Sequence, residues 1–382
     1  MSRQPAHSPA AVYSANLRAD RQCRTDGAKR SLLDKLDELL LRAGVEGRYK
    51  KGQIIAIKLH FGERGNTSYI RPVFVRKAVE RVKKTGARVF LADTNTLYVG
   101  GRTNSADHLE TAIANGFAYA AVGAPLIIAD GLRGESSSRV RVGGRHFEEV
   151  KIAGEIASAD GILFLTHFKC HELTGFGGAL KNMGMGCASR EGKLEQHSRC
   201  APVVEPAGCT ACGECVASCP ASAIELGAAA MIREDLCTGC AYCIAVCPEG
   251  AIEVQWDETV ERVQEKMVEY SRGVMDGKEG KCLFINFLTQ ISPTCDCYGH
   301  TDAPIVPDVG ILSSIDPVAI DQASADLVNG QRGFEEGTAL KSGFEPGGDK
   351  FRGVHPQIDW TVQLRYAETI GLGTRRYRIE EV

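Results

Sequence analysis

The chain has 382 residues, 43% hydrophobic and 24% charged, with a net charge of −3. That composition is globular and long enough for two or three domains. The near-neutral charge gives no reason to expect nucleic acid or an anionic membrane as partner, and no run of 18 apolar residues marks a membrane span.

Residues 1–11 are rich in Ser, Pro and Ala, with neither the apolar stretch of a Sec leader nor a twin-arginine pair, and are expected to be disordered. Ile54 to Leu59 is a short β-branched run that predicts a buried strand. Pro72 opens a helical spacing over Val73 to Lys84. A strand follows at Val89 to Ala92, then a helix over Ala106 to Asn115 closed by Gly116. Leu126 to Ala129 and Ile162 to Thr166 are further strands; between them, Arg139 to Val142, Gly143-Gly144 and His146 to Ile152 predict a hairpin. Later come a helix over Thr259 to Tyr270, a strand at Leu283 to Leu288 and a helix over Pro317 to Val328. Asp316 before Pro317 is a helix N-cap and so a structural residue. Strands alternating with helices predict an α/β body with a mostly parallel sheet. That body is discontinuous, 12–201 and 256–382, and is interrupted by a small insert over 202–255.

The insert carries an internal repeat. Cys209, Cys212, Cys215, Cys219 and Pro220 recur as Cys237, Cys240, Cys243, Cys247 and Pro248, each 28 residues on, and Ala223-Ile224-Glu225 recurs as Ala251-Ile252-Glu253. Each half reads C-x2-C-x2-C-x3-C-P. Three cysteines on one loop wrap a cuboidal cluster, while the fourth starts a segment pointing away and serves the other cluster. The expected ligand sets are Cys209, Cys212, Cys215 and Cys247 for one [4Fe–4S] cluster, and Cys237, Cys240, Cys243 and Cys219 for the second. Structural zinc does not explain eight cysteines in this order, nor do disulfides explain the repeat. The small residues Thr210, Ala211, Gly213, Thr238, Gly239 and Ala241 let backbone amides approach the sulfurs. The insert is therefore expected to be a small α+β unit like the bacterial two-cluster ferredoxins. Clustered thiols without an export signal place the chain in a reducing, cytoplasmic setting. Cys23, Cys187, Cys200 and Cys282 are isolated and are expected to be ordinary thiols.

Ligands of open α/β sheets bind beyond the carboxyl ends of the strands. Here those ends carry His60 with Glu63, Arg64 and Asn66; Asp93-Thr94-Asn95; His167 with Lys169, Cys170, His171 and Glu172; and Cys295-Asp296-Cys297 with His300 and Asp302. His60, His167, Lys169 and Lys181 are the expected catalytic residues, the histidines as proton donors or ligands and the lysines steadying an anion. The glycines of Gly175 to Gly186 present amides to a phosphate or carboxylate, or form a tight loop packed on the insert; both readings stand. Cys295, Cys297 and His300 offer a site for an additional metal ion, against reduced cysteines in a turn or a redox-active pair.

Lys58 to Asn66, Asp93 to Tyr98, Ala129 to Leu132, His167-Phe168-Lys169, Gly175 to Gly186, Cys295-Asp296-Cys297 and Asp316 to Asp321 together resemble the DUF362 family of iron–sulfur proteins. The resemblance runs from about Val12 to Asn329. It implies the same two-part plan with a two-cluster insert, and departs at Cys170, where that pattern has glycine. It implies no reaction. Three functions follow from the residues: an iron–sulfur oxidoreductase whose body binds a small molecule, a non-catalytic electron carrier docking on a partner redox enzyme, and an Fe–S assembly or sensor protein. No nicotinamide or flavin fingerprint is present.

Overall fold

The computed structural model describes residues 8–23, 29–198 and 200–382, with the side chains of 20–23 excepted. Eight strands form the central sheet: β1 (Ala10–Asn16), β2 (Ile54–Lys58), β3 (Arg88–Asp93), β4 (Leu126–Ile128), β5 (Gly161–His167), β6 (Cys282–Leu288), β7 (Gly310–Ser314) and β8 (Tyr377–Glu381). Their order is β8-β1-β7-β6-β5-β2-β3-β4. From β6 to β4 every neighbour is parallel, whereas β7 runs antiparallel to both β6 and β1. The protein is thus α/β with a mostly parallel sheet, as the alternation of elements predicts.

β5 and β6 are buried along their whole length. Their residues alternate between two apolar layers. Ile162, Phe164 and Phe284 face one, and Leu163, Leu165, Leu283 and Ile285 face the other. This is why these strands read as continuous apolar runs. Phe164 and Phe284 stack across the pair, centroids 5.1 Å apart.

The helix opened by Pro72 spans Pro72–Lys83, and the next spans Ser105–Ala112 before a wider turn carries the chain to Phe117. The hairpin pairs Ser137–Arg141 with Glu149–Ala153. Expected disorder at 1–11 is overturned at its end, because Ala10 and Ala11 pair with β8; residues 1–7 lie outside the described residues. The sequence reading passed over β1, β7, β8 and the helix Leu32–Arg42, although a capping box at Ser31 and Asp34 marks that helix's start.

Residues 203–253 form a separate small unit. Val203–Val204 pairs with Ile252–Glu253, and Ile224–Leu226 pairs with Ala230–Ile232. Two short helices, Glu214–Ala217 and Tyr242–Val246, start 28 residues apart. The backbone repeats at the same interval. Left-handed φ angles at Ala211, Gly213 and Ser222 recur at Gly239, Ala241 and Gly250. The apolar core of this unit includes Leu97 and Leu194 from the body. No helix among the described residues is long and apolar enough to cross a membrane.

Candidate functional site

The carboxyl ends of β2, β3 and β5 open onto one cavity of about 710 Å³. It gathers His60, Asp93, His167, Lys169, Lys181, Cys295 and Cys297, drawn from five separate stretches of chain. The four residues expected to be catalytic therefore share one site.

Their surroundings differ. His60 accepts a hydrogen bond from Gly62 N at Nδ1 (2.9 Å), so its Nε2 carries the proton, and that nitrogen has no hydrogen-bond partner among the described residues. Burial, with the Arg102 guanidinium nearby, holds its pKa well below the ordinary imidazole value. His167 is fully engaged. Nδ1 meets Asp296 Oδ1 at 2.8 Å, and Nε2 meets the carbonyls of Thr289 and Gln290 at 3.0 and 3.1 Å. With acceptors on both sides, the ring donates twice and leaves no nitrogen for a ligand. Lys169 donates to His167 O (2.9 Å) and lies 3.3 Å from Asp296. Burial opposes ionisation of Asp296, yet His167 and Lys169 prevail and hold its carboxyl well below the usual range.

Lys58 and Arg102, not singled out from sequence, pair with the acids of the cavity. Lys58 lies 2.9 Å from Asp93, and Arg102 lies 3.2 Å from Glu63 and 3.6 Å from Asp93. Lys181 and Lys193 have no carboxylate partner among the described residues. Lys181 Nζ stands 3.7 Å from Cys295 Sγ; burial works against its charge, but the sulfurs of Cys295 and Cys297 outweigh it and raise its pKa. Lys193 donates to Thr94 Oγ1 (2.6 Å) and Ala188 O (2.7 Å), and burial lowers its pKa to about 8. His197, one helical turn further on, is buried, its Nδ1 has no partner among the described residues, and its ring packs at a tilt against Trp256, centroids 5.0 Å apart. The spacing of Lys193 and His197 on the helix Arg190–His197 was the signal available in the sequence.

Two expectations are corrected. The glycine-rich segment does not present free amides: Ala179 N and Leu180 N already donate to Asp321, at 2.7 and 2.9 Å. Asp321 comes from the helix Pro317–Asn329 and supplies the carboxylate itself. The segment packs against the helix Val260–Met275, where a Cβ at Gly184 would strike Met267 O. Nor does His300 join Cys295 and Cys297. It is exposed and lies on the Tyr298 ring, while His171 is the imidazole that lines the cavity with Cys295 and Cys297 and favours the Cys295 thiolate. Among the described residues no three His, Cys, Asp or Glu side chains are grouped to hold a single metal ion. Asp316 is the N-cap expected, accepting from Val318 N and Ala319 N at 2.9 Å.

The small unit contains two small hollows, each of about 20 Å³. Cys209, Cys212, Cys215 and Cys247 line one; Cys219, Cys237, Cys240 and Cys243 line the other. All eight are unbridged. Amides of Ala223, Ala230 and Ala251 donate to the sulfurs of Cys219, Cys209 and Cys247 at 3.3 to 3.4 Å. Leu97 of the cavity wall, and Leu194 next to Lys193, share one apolar cluster with Cys215, Ile224, Ala241 and Ile252 of the unit. Arg133 ties the unit down further, donating to Tyr242 OH at 3.2 Å.

No curated protein sequence matches the chain. Among solved structures, the lactate racemase apoprotein from Thermoanaerobacterium thermosaccharolyticum is similar at 11% identity and a TM-score of 0.34. The likeness covers 73% of this chain and 51% of that one, so this chain spans about half of that protein's length. A sequence profile described as a domain of unknown function, DUF362, matches residues 55–326, across both the sheet and the small unit. The chain belongs to the DUF362 family.

Proposed function

We propose that this chain is an iron–sulfur oxidoreductase of a reducing, cytoplasmic compartment, in which a ferredoxin-like insert with two [4Fe–4S] clusters serves a small anionic molecule held in the body. The observation that carries this reading is the shared apolar cluster by which Leu97 of the 710 Å³ cavity's wall packs into the core of the unit that holds the two four-cysteine hollows. The residues fit the groups: two sets of four free cysteines, each around one hollow, with backbone amides on their sulfurs. A cuboidal cluster sets its thiolates around a body several times wider than one ion, so it does not require single-ion spacing. When bound, such clusters supply single electrons at low potential.

The body's residues do the rest. Lys181 and Lys193, free of carboxylates, attract an anion into the cavity. His60 offers its Nε2 proton to the ligand. Lys193, with a pKa of about 8, gives up and recovers a proton near neutral pH. His167, Asp296 and Lys169 form a fixed frame behind them.

Iron and acid-labile sulfide, counted anaerobically per chain, test the reading. About eight of each are expected, lost in halves when one cysteine set is replaced by serine. A chain that takes up no iron on reconstitution overturns it. If iron is bound, yet His60→Ala and Lys181→Ala leave electron exchange with a co-purifying redox enzyme unchanged, the carrier reading replaces the enzyme.

A further inference from the structure

Cys295 and Cys297 stand apart from the other thiols. Cys170, Cys187 and Cys282 are buried singly in the body core, and none of them lines the cavity. Cys295 and Cys297 both line it, one residue apart in a turn, close enough for each sulfur to bear on the other's ionisation. Lys181 Nζ is 3.7 Å from Cys295 Sγ and has no carboxylate partner among the described residues, and the His171 imidazole, in the same wall, also favours the Cys295 thiolate. A cation beside one sulfur of a close pair favours a thiolate there and a proton on its neighbour.

We propose that Cys295 and Cys297 are a redox-active pair, cycling between dithiol and disulfide at the mouth of the cavity. In the reducing direction the S–S bond takes up two electrons and breaks. Cys297 gains one proton and Cys295 is left as a thiolate beside Lys181. In the oxidising direction the same two electrons and the Cys297 proton pass to a small anionic two-electron acceptor in the cavity, which is reduced and protonated as the S–S bond re-forms. The two clusters of the function proposed above would, when bound, supply these electrons singly, and for that source this inference rests on that reading. The pair thus turns two one-electron carriers into one two-electron donor.

The test is differential alkylation with mass mapping of Cys295 and Cys297, on the full chain, across thiol/disulfide buffers of stepped potential. Iron and sulfide are counted in the same samples. A two-electron couple is expected, its dithiol-to-disulfide ratio changing tenfold per about 30 mV. In Cys297→Ser the couple vanishes, while Cys295 stays alkylatable. In Lys181→Met, Cys295 is alkylated about tenfold more slowly at neutral pH, as one pKa unit of lost thiolate stabilisation requires. Two thiols that stay free at every potential overturn the inference, as does a link formed only in the denatured chain. Eight irons with a pair that never oxidises sinks this inference and leaves the iron–sulfur reading standing. A two-electron couple in a chain that binds no iron supports the pair and removes its proposed electron source.

Discussion

The eight-stranded body and the small cysteine unit are held together by different means. The body buries both faces of its sheet, and β5 and β6 have no exposed residue. The unit at 203–253 has an apolar core of a few residues, two of them borrowed from the body, and leaves Leu226, Met231 and Leu236 about half exposed. A segment that small cannot bury enough apolar surface to be secure alone. The contrast teaches that one chain can be built on two principles, apolar burial where the sheet is and, on the function proposed above, ligand bonding where the cysteines are.

The largest effect that would break this comparison is iron removal. Chelation is expected to abolish hydrogen-exchange protection across 203–253 while leaving β5 and β6 protected; equal loss in both would erase the distinction. Next comes the body's own core. Phe284→Ala removes the ring stacked on Phe164, and a denaturant midpoint is expected to report a loss of about 3–5 kcal/mol, with iron content unchanged.

Lys193 sharpens the comparison at the seam. Its folded pKa of about 8 lies below the ordinary 10.5 because the side chain is buried. Between those values the unfolded chain holds a proton that the folded chain has lost, so this group adds stability as pH rises from 8 to 10.5. The difference in unfolding free energy between the natural chain and Lys193→Met is expected to grow by on the order of 3 kcal/mol over that window. Asp321→Ala strands the amides of Ala179 and Leu180 and the Asn286 side chain, and a loss of about 2–3 kcal/mol in unfolding free energy is expected. The smallest effect is at the edge: Ser31→Ala removes a capping box, at about 1 kcal/mol in a thermal melt.

What the sequence made legible was local or periodic. The 28-residue repeat is read directly from spacing, and it reappears as repeated left-handed backbone angles. The parallel strands were legible because burial on both faces makes them continuous apolar runs. Convergence at their ends follows from a topological rule, which is why His60, Asp93, His167 and Cys295 could be placed near one another beforehand. The antiparallel edge was not legible: β7 is Gly-Ile-Leu-Ser-Ser, too short and mixed to signal a strand. The glycine segment misled for a different reason. Its amides looked free because their acceptor, Asp321, lies about 140 residues away in sequence. His300 misled because nearness along the chain stood in for nearness in space, whereas His171 came from another strand end.

The pairing of Val203–Val204 with Ile252–Glu253 means that the chain enters and leaves the small unit at neighbouring points. To the sheet, the whole unit is one long loop on a two-stranded stalk. Loop closure entropy grows only with the logarithm of length. The body therefore feels little difference between a short turn and a cysteine-bearing module in that place. Such a socket permits exchange: a module with other cofactors, or none, can be seated there while the cavity beneath keeps its shape.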